Sequence, residues 1–420
     1  MPLIAYNSSV NSAQTIALGP SSIVVVGALG YVYNTNGADL FRASDTARFT
    51  VAGTIAASGT AILSGAAATP GTLAVQITQS GIIAANTPLI SYGGQLDLVN
   101  HGVIDGANRA VQLLSGGAEI VNAGTISAAV NTIESAEARD WGVTITNSGE
   151  ITVTTGSFAV YLNENADADD QVINSGAIHG TVRLGGGNDW YDGRSGGRVL
   201  GQIDGEAGDD SFFPGAADEV FLGGDGTDSL VFRGTSAVAI ALDYSFEADG
   251  AAATDLWAEI ENVIGSGRAD HIRGDAGKNS LEGWAGADTI DGARGADRIT
   301  GGAGKDRLTG GAGNDTFVYN TLNDNGDRIT DFVSVSQNQN DRFQFSLYAF
   351  GAGMEAGVLG SSHFRARTDN KAQDRDDHFI FRTKDTTLWF DADGKGGDGP
   401  VLVADLQAGA TVTAKDIFLV

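Results

Sequence analysis

The sequence predicts an all-β chain of stacked repeats: a right-handed parallel β-helix continuing into a parallel β-roll, closed by a C-terminal β cap. Three observations predict it. Glycine recurs every nine residues from Gly265 to Gly310, an Asn-x-Gly-x-Ile pattern recurs at longer spacing before it, and strand-like alternation follows Phe317. The expected order is an N-terminal β cap over 1–45, β-helix coils over 46–204, a degenerate nonapeptide tract with connecting strands over 205–264, the nonapeptide roll over 265–318, and a β cap over 319–420.

The longer period belongs to the β-helix. Asn100, Asn122, Asn147 and Asn174 each begin an Asn-x-Gly-x-Ile run, and weaker copies stand at Gly53 with Ile55, Gly81 with Ile83 and Gly201 with Ile203. A coil of this length holds about three short strands, the turn of a parallel β-helix. Ile104, Ile126, Ile151 and Ile178 are expected to stack in its core. The asparagines are expected to form a ladder in which each amide caps a turn and bonds the next coil.

In the roll each unit reads Gly-x-x-Gly-x-Asp-x-apolar. Gly265, Gly274, Gly283, Gly292, Gly301 and Gly310 stand first, and Gly277, Gly286, Gly295, Gly304 and Gly313 fourth. Asp270, Asp288, Asp297, Asp306 and Asp315 stand sixth, while Arg268 and Asn279 are the two departures. The eighth positions, Ile272, Leu281, Ile290, Ile299, Leu308 and Phe317, supply one inward side chain per short strand. Glycine permits the positive φ and close backbone approach of a turn that doubles back within six residues.

A degenerate tract precedes it, with Gly205, Gly208, Asp210 and Phe212, then Gly223, Gly224, Gly226, Asp228 and Leu230. An isolated copy stands at Gly185, Gly187, Asp189 and Tyr191. Stacked turns of this kind present carboxylates and backbone carbonyls together, the all-oxygen environment that calcium prefers. The candidate metal ligands are therefore the first- and fourth-position glycines, through their backbone, and the sixth-position Asp and Asn residues of every unit, including Asp189, Asp210 and Asp228.

Composition agrees. Sixty glycines, six prolines, no cysteine and a formal charge of -27 lie far from the globular average. Such an acidic chain repels nucleic acid and anionic membranes, so cations are its natural partners. Without cysteine it has neither disulfides nor thiolate metal sites. Residues 1–21 contain no basic residue, so the charged start of a cleaved signal peptide is missing, and the apolar run 23–33 is too short to be a transmembrane segment.

Between the two tracts, Val238, Ile240 and Leu242 alternate with polar neighbours and are expected to form strands rejoining the roll. Beyond Phe317, the alternating stretches 342–345, 379–381 and 387–390 are expected to form antiparallel strands.

These residues resemble the RTX family, the calcium-binding repeat proteins of Gram-negative bacteria. The resemblance covers 184–420 and includes the lead-in 260–266 and Asp391-Ala392-Asp393-Gly394. It implies several Ca2+ ions, export by a type I secretion system, an extracellular or cell-surface location, and folding on calcium after export. The ending Asp416-Ile417-Phe418-Leu419-Val420 looks like the uncleaved signal of that route.

The repeats do not identify an activity. A serralysin-like metalloprotease needs His-Glu-x-x-His, and His101, His179, His271, His363 and His378 form no such pair. Gly193-Arg194-Ser195-Gly196-Gly197 matches a nucleophile-elbow pattern that sixty glycines make cheap. Polysaccharide lyases and epimerases share the β-helix scaffold, with Asp105 and Asp140 as candidate acids. Against that, no lysine precedes Lys278, and only Arg42, Arg48, Arg109 and Arg139 occur in the first 150 residues.

Other patterns are read as structural. Asp167, Asp169 and Asp170 are read first as a solvated tip and only second as a cation site. Arg273-Gly274-Asp275 is read as roll register, and Asp391, Asp393 and Asp398 as a β-turn lacking EF-hand spacing. No catalytic residue is assigned. The expected role is a structural or adhesive rod in a surface layer or biofilm matrix, with a homo-oligomer or filament and an extracellular polysaccharide as its further partners.

Overall fold

The structure is a computed structural model that describes residues 3–12, 14–64, 71–92, 94–135, 141–163, 167–234, 236–245, 248–250, 252, 255–334 and 339–420. It is all-β. Among the described residues the helical pieces are Leu347–Phe350 and the 3₁₀ turns Ser361–His363 and Ala414–Asp416. No helix is long and apolar enough to cross a membrane. The chain divides into two compact units, Met1–Asp228 with Thr254–Glu259, and Ser229–Ala253 with Ile260–Val420.

The first unit is a parallel β-solenoid of three ladders. One ladder stacks Leu73–Ile77, Leu96–Asn100, Ala118–Asn122, Val143–Asn147 and Gln171–Asn174 in register. Their alternating residues send every second side chain inward, as a half-buried strand requires. A second ladder places Ile55, Ile83, Ile104, Ile126, Ile151 and Ile178 in one fully buried column. Each contributes about 1.5 to 3 kcal/mol by leaving water.

The expected seventh copy is displaced. Ile178 is followed in its column by Val199, whereas Ile203 sits on Val182 in the third ladder, which continues through Phe221 to Trp257. The segment expected as an N-terminal cap is wound on the same three ladders. Leu3–Tyr6 lies on Ser22–Val26, Ser9–Asn11 on Tyr31–Asn34, and Ile16–Leu18 on Phe41–Ala43.

The second unit has two ladders, so one coil takes two nonapeptides. Val263, Leu281, Ile299, Phe317 and Phe343 form one column, and Ile240, Ile272, Ile290, Leu308 and Ile329 the other. All are buried. The sheet carrying the second column continues from Asp327–Ile329 to Val401–Leu406, Thr387–Phe390, Phe379–Arg382 and Phe364–Arg367. Here the antiparallel expectation needs correcting. The pairs among 379–382, 387–390 and 401–406 are antiparallel, but Phe364–Arg367 runs parallel to Phe379–Arg382, and Arg342–Phe345 is parallel to both Thr316–Tyr319 and Ile417–Leu419. The reason is that 342–345 and 417–419 extend a parallel ladder of the roll.

Candidate metal centre

In the roll each sixth-position side chain bonds the coil before it. The N–H of Asp270 donates to Asp288 Oδ1 (2.7 Å), that of Asp288 to Asp306 Oδ1 (2.8 Å), and that of Asp306 to Asp327 Oδ1 (3.0 Å). On the other side, the N–H groups of Asn279, Asp297 and Asp315 donate to Oδ1 of Asp297, Asp315 and Asp341 (2.9, 3.0 and 3.1 Å). One oxygen of each aspartate is thereby used as a rung.

The other oxygen is not. Oδ2 of Asp288, Asp297, Asp306, Asp315 and Asp327 is buried and has no hydrogen-bond partner. Such an atom costs about 1 to 3 kcal/mol, and more when ionised. Burial pushes Asp288 and Asp297 up to about 7, Asp306 to about 6 and Asp327 to about 8, with neighbouring carboxylates adding to the effect. Asp315 is raised for the same reason.

The glycines explain the shape of the space. A methyl group on Gly283, Gly292, Gly301 or Gly310 would collide with Oδ2 of Asp288, Asp297, Asp306 or Asp315, six positions being enough to fold the carboxylate under the first glycine of its own turn. At the fourth position Gly286, Gly295, Gly304 and Gly313 have φ of 149°, 132°, 156° and 152°, and a methyl there would strike the carbonyl of residue 268, 277, 286 or 295, one coil earlier. Carbonyls and carboxylates therefore converge, and only oxygen is offered. Among the described residues no three His, Cys, Asp or Glu side chains converge. A cation here would thus be held by one or two carboxylates completed by main-chain carbonyls, which suits Ca2+.

Two turns are closed differently. Asp270 accepts the Ser266 N–H (2.6 Å) and hydroxyl (2.8 Å), so the turn that begins at Gly265 satisfies its own carboxylate. In the turn beginning at Gly274, Asn279 Oδ1 accepts the Asp275 N–H (2.9 Å) and its Nδ2 donates to the Glu261 carbonyl (3.0 Å). Gly277 there donates to Asp275 Oδ1 (2.7 Å) and does not share the positive φ of the other fourth-position glycines.

The first unit carries the same device. The N–H of Asp170 donates to Asp189 Oδ1 (2.7 Å), that of Asp189 to Asp210 Oδ1 (2.7 Å), and that of Asp210 to Asp228 Oδ1 (2.8 Å). Asp210 Oδ2 is buried without a partner, and burial raises this residue to about 8. Gly205 and Gly223 pack on the carboxylates of Asp210 and Asp228, and Gly226 has φ 149°. Beside this ladder runs a second, in which Asn188, Asp209 and Thr227 donate their N–H groups to Asp169, Asn188 and Asp209. Asp169 and Asp170, read mainly as a solvated tip, thus stand at the head of both ladders.

Sequence reading missed Asp255, Asp327 and Asp341. Asp255 accepts the Glu219 N–H (3.0 Å), leaves Oδ2 unpartnered and is raised to about 7 by burial. Glycine spacing has lapsed at all three, but each is followed two residues later by an inward apolar residue, Trp257, Ile329 or Phe343. That Asp-x-apolar remnant was the available signal.

The remaining candidates do not assemble into a catalytic site. Asp105 accepts the Ser127 hydroxyl (3.0 Å), while Arg139 and Asp140 lie outside the described residues. Arg194 forms a two-pronged pair with Asp192 over Phe213. Arg109 pairs with Glu134, and Arg183, passed over in the sequence, pairs with Glu206 beside Tyr161. Arg273 bridges Asp243 and Asp291, which keeps the Arg-Gly-Asp tripeptide within the roll.

Comparison with known proteins gives one family, described as the RTX calcium-binding nonapeptide repeat (4 copies), which matches residues 202–230, 264–299 and 292–325. No curated protein matches the chain. Among solved structures, the solution structure of the AlgE6R3 subunit from the Azotobacter vinelandii mannuronan C5-epimerase is 26% identical. The match covers 37% of this chain and 80% of that one, at a TM-score of 0.25.

Proposed function

We propose that this chain, which carries RTX calcium-binding nonapeptide repeats, is a secreted protein that folds on calcium and serves a structural or adhesive role at a cell surface, surface layer or biofilm matrix. The observation that carries the calcium reading is the row of buried, unpartnered Oδ2 atoms on Asp288, Asp297, Asp306 and Asp315, each under its own glycine. With affinities of ~10 to 100 micromolar and ~1 millimolar calcium, each site contributes roughly 1.5 to 3 kcal/mol. Four or five such sites contribute on the order of 6 to 15 kcal/mol, comparable with the stability of a whole domain.

Supporting a scaffold role, the first unit is a solenoid whose arginines Arg109, Arg183 and Arg194 are each tied to a carboxylate, leaving them poorly placed to hold an anionic glycan. Its outermost strand Leu3–Tyr6 pairs on one side only, with Ser22–Val26, so another copy of the chain fits the open edge. Release through a type I secretion system belongs to the same reading. There the final strand Ile417–Leu419 would be read as a signal before it pairs with Phe343–Phe345.

The test is circular dichroism of the full-length chain during calcium titration, followed by light scattering at saturation. A cooperative gain of β signal supports the calcium switch, and growth in size supports assembly. A spectrum indifferent to calcium and chelator overturns the reading. Product release from an anionic glycan would replace the scaffold role with a polysaccharide-modifying one.

A further inference from the structure

A different arrangement of carboxylates lies in the C-terminal sheet of the second unit, away from the nonapeptides. Asp391 ends the strand Thr387–Phe390 and is pinned through its backbone: its N–H donates to the His378 carbonyl (2.8 Å) and its own carbonyl bonds His378 Nδ1 (2.8 Å). Its side chain is 4% exposed, and Oδ1 has no hydrogen-bond partner. The Asp393 carboxyl stands within hydrogen-bonding reach of it. Asp393 Oδ2 also accepts the N–H groups of Gly397 (2.8 Å) and Asp398 (3.3 Å), which folds the loop over the pair.

Carbonyls approach from a second loop. Gly394 has φ 60°, and a methyl group there would meet the Arg375 carbonyl at 2.5 Å and the Asp374 carbonyl at 2.8 Å. The Asp374 carbonyl already accepts the Lys395 N–H (2.8 Å), whereas the Arg375 carbonyl is brought in by the absence of a side chain. Two carboxylates at this separation cannot both stay ionised unless something positive lies between them. A hard cation with oxygen ligands meets that need and gives the sealed oxygen a partner.

We propose that Asp391 and Asp393, completed by the Arg375 carbonyl, bind a Ca2+ ion outside the repeats and clamp the loop after Phe390 to the loop before Phe379. The site differs in kind from the roll: its two carboxylates are two residues apart in one loop, and no coil-to-coil rung is involved. It therefore stands or falls separately from the nonapeptide ions.

The experiment counts calcium bound per full-length chain by flow dialysis at pH 7.5, alongside the calcium-dependent far-UV transition. Asp393→Asn is expected to bind one ion fewer, with the midpoint of the far-UV transition unchanged because the roll keeps its own sites. An unchanged count overturns the proposal and assigns the pair to a shared proton. Loss of the whole calcium response in wild-type protein would overturn the roll reading instead. Should Asp393→Asn fail to fold, Asp393→Glu carries the test. It is expected to keep the full count with one site weakened about tenfold or more, and unchanged affinity at every site overturns the proposal.

Discussion

Two ladders in this molecule solve one geometric problem with different chemistry. In the β-helix coils, Asn100, Asn122, Asn147 and Asn174 are buried one above another, and each Nδ2 donates to the next Oδ1 at 2.8 to 2.9 Å. The same Oδ1 atoms accept the N–H two residues on, at Gly102, Gly124 and Gly176. In the roll the stacked group is aspartate, whose Oδ1 accepts a backbone N–H while Oδ2 is left over. An amide both donates and accepts, so its column closes on itself. A carboxylate only accepts, so its column is complete only when a cation is supplied. One region is thus stable on its own chemistry and the other is conditional.

The largest expected effect separates the two by chelation. Removing calcium should unfold the nonapeptide coils, a change of roughly 6 to 15 kcal/mol, while the amide-laddered coils keep slow amide exchange. Hydrogen exchange in chelator that spares both regions equally, or melts both, breaks the comparison. Acid should mimic the ion in part. The calcium-free fold holds Asp210, Asp288, Asp297 and Asp327 at about 7 to 8, against an unfolded value near ~3.9. Because the folded state keeps protons that the unfolded state releases, calcium-free stability is greatest near pH ~4 and is lost as pH rises through about 6 to 8. Urea midpoints in chelator should therefore fall from pH 5 to pH 8. With calcium, which needs ionised ligands, the ion's contribution should grow over the same range.

The next effect attacks the amide column. Asn122→Asp places a charge where Asn122 now donates to Asn147 Oδ1 and to the Glu150 carbonyl. Left buried without a counter-charge, it should cost about 3 to 5 kcal/mol at pH 7. Calcium should not restore this loss, since no glycine cradle or convergent carbonyl accompanies the position; recovery in calcium would mean that the two ladders are interchangeable. A smaller loss is expected at Gly304→Ala, where φ of 156° and the Gly286 carbonyl leave no room for a methyl group. Its cost of about 1 to 3 kcal/mol should appear as a lower midpoint in calcium denaturation curves.

How much of this could be read beforehand differs between the ladders for a physical reason. The roll was legible because glycine at positive φ is almost irreplaceable, so Gly286, Gly295, Gly304 and Gly313 keep strict spacing. The amide column was legible because Asn-x-Gly-x-Ile ties the rung, the turn and the core residue together. What escaped was register wherever loops change length. Ile203 follows a glycine as its predecessors do, yet the shortened turn before Val199 moves it to another ladder. Asp327 and Asp341 continue the rungs after longer loops, where no glycine is needed and only the Asp-x-apolar spacing survives. The satisfied state of Asp270 rests on Ser266, a second-position residue that periodicity does not constrain.

Asn279 sets the two chemistries side by side within one column of the roll, and it carries the smallest expected effect. Its Nδ2 donates to the Glu261 carbonyl while its Oδ1 lies against Gly274, in the manner of a carboxylate Oδ2 in the neighbouring turns. Asn279→Asp removes that donor and should cost about 1 to 3 kcal/mol without calcium. In ~1 millimolar calcium a new ion should return roughly 1.5 to 3 kcal/mol, leaving little net change. The variant should therefore fold at a higher calcium midpoint, bind one more ion, and match the parent at saturation. If it binds no extra ion and stays weaker in calcium, the cradle is set by the second and fourth positions, Asp275 and Gly277, rather than by the carboxylate. The amide would then be a consequence of a turn already unable to hold a cation.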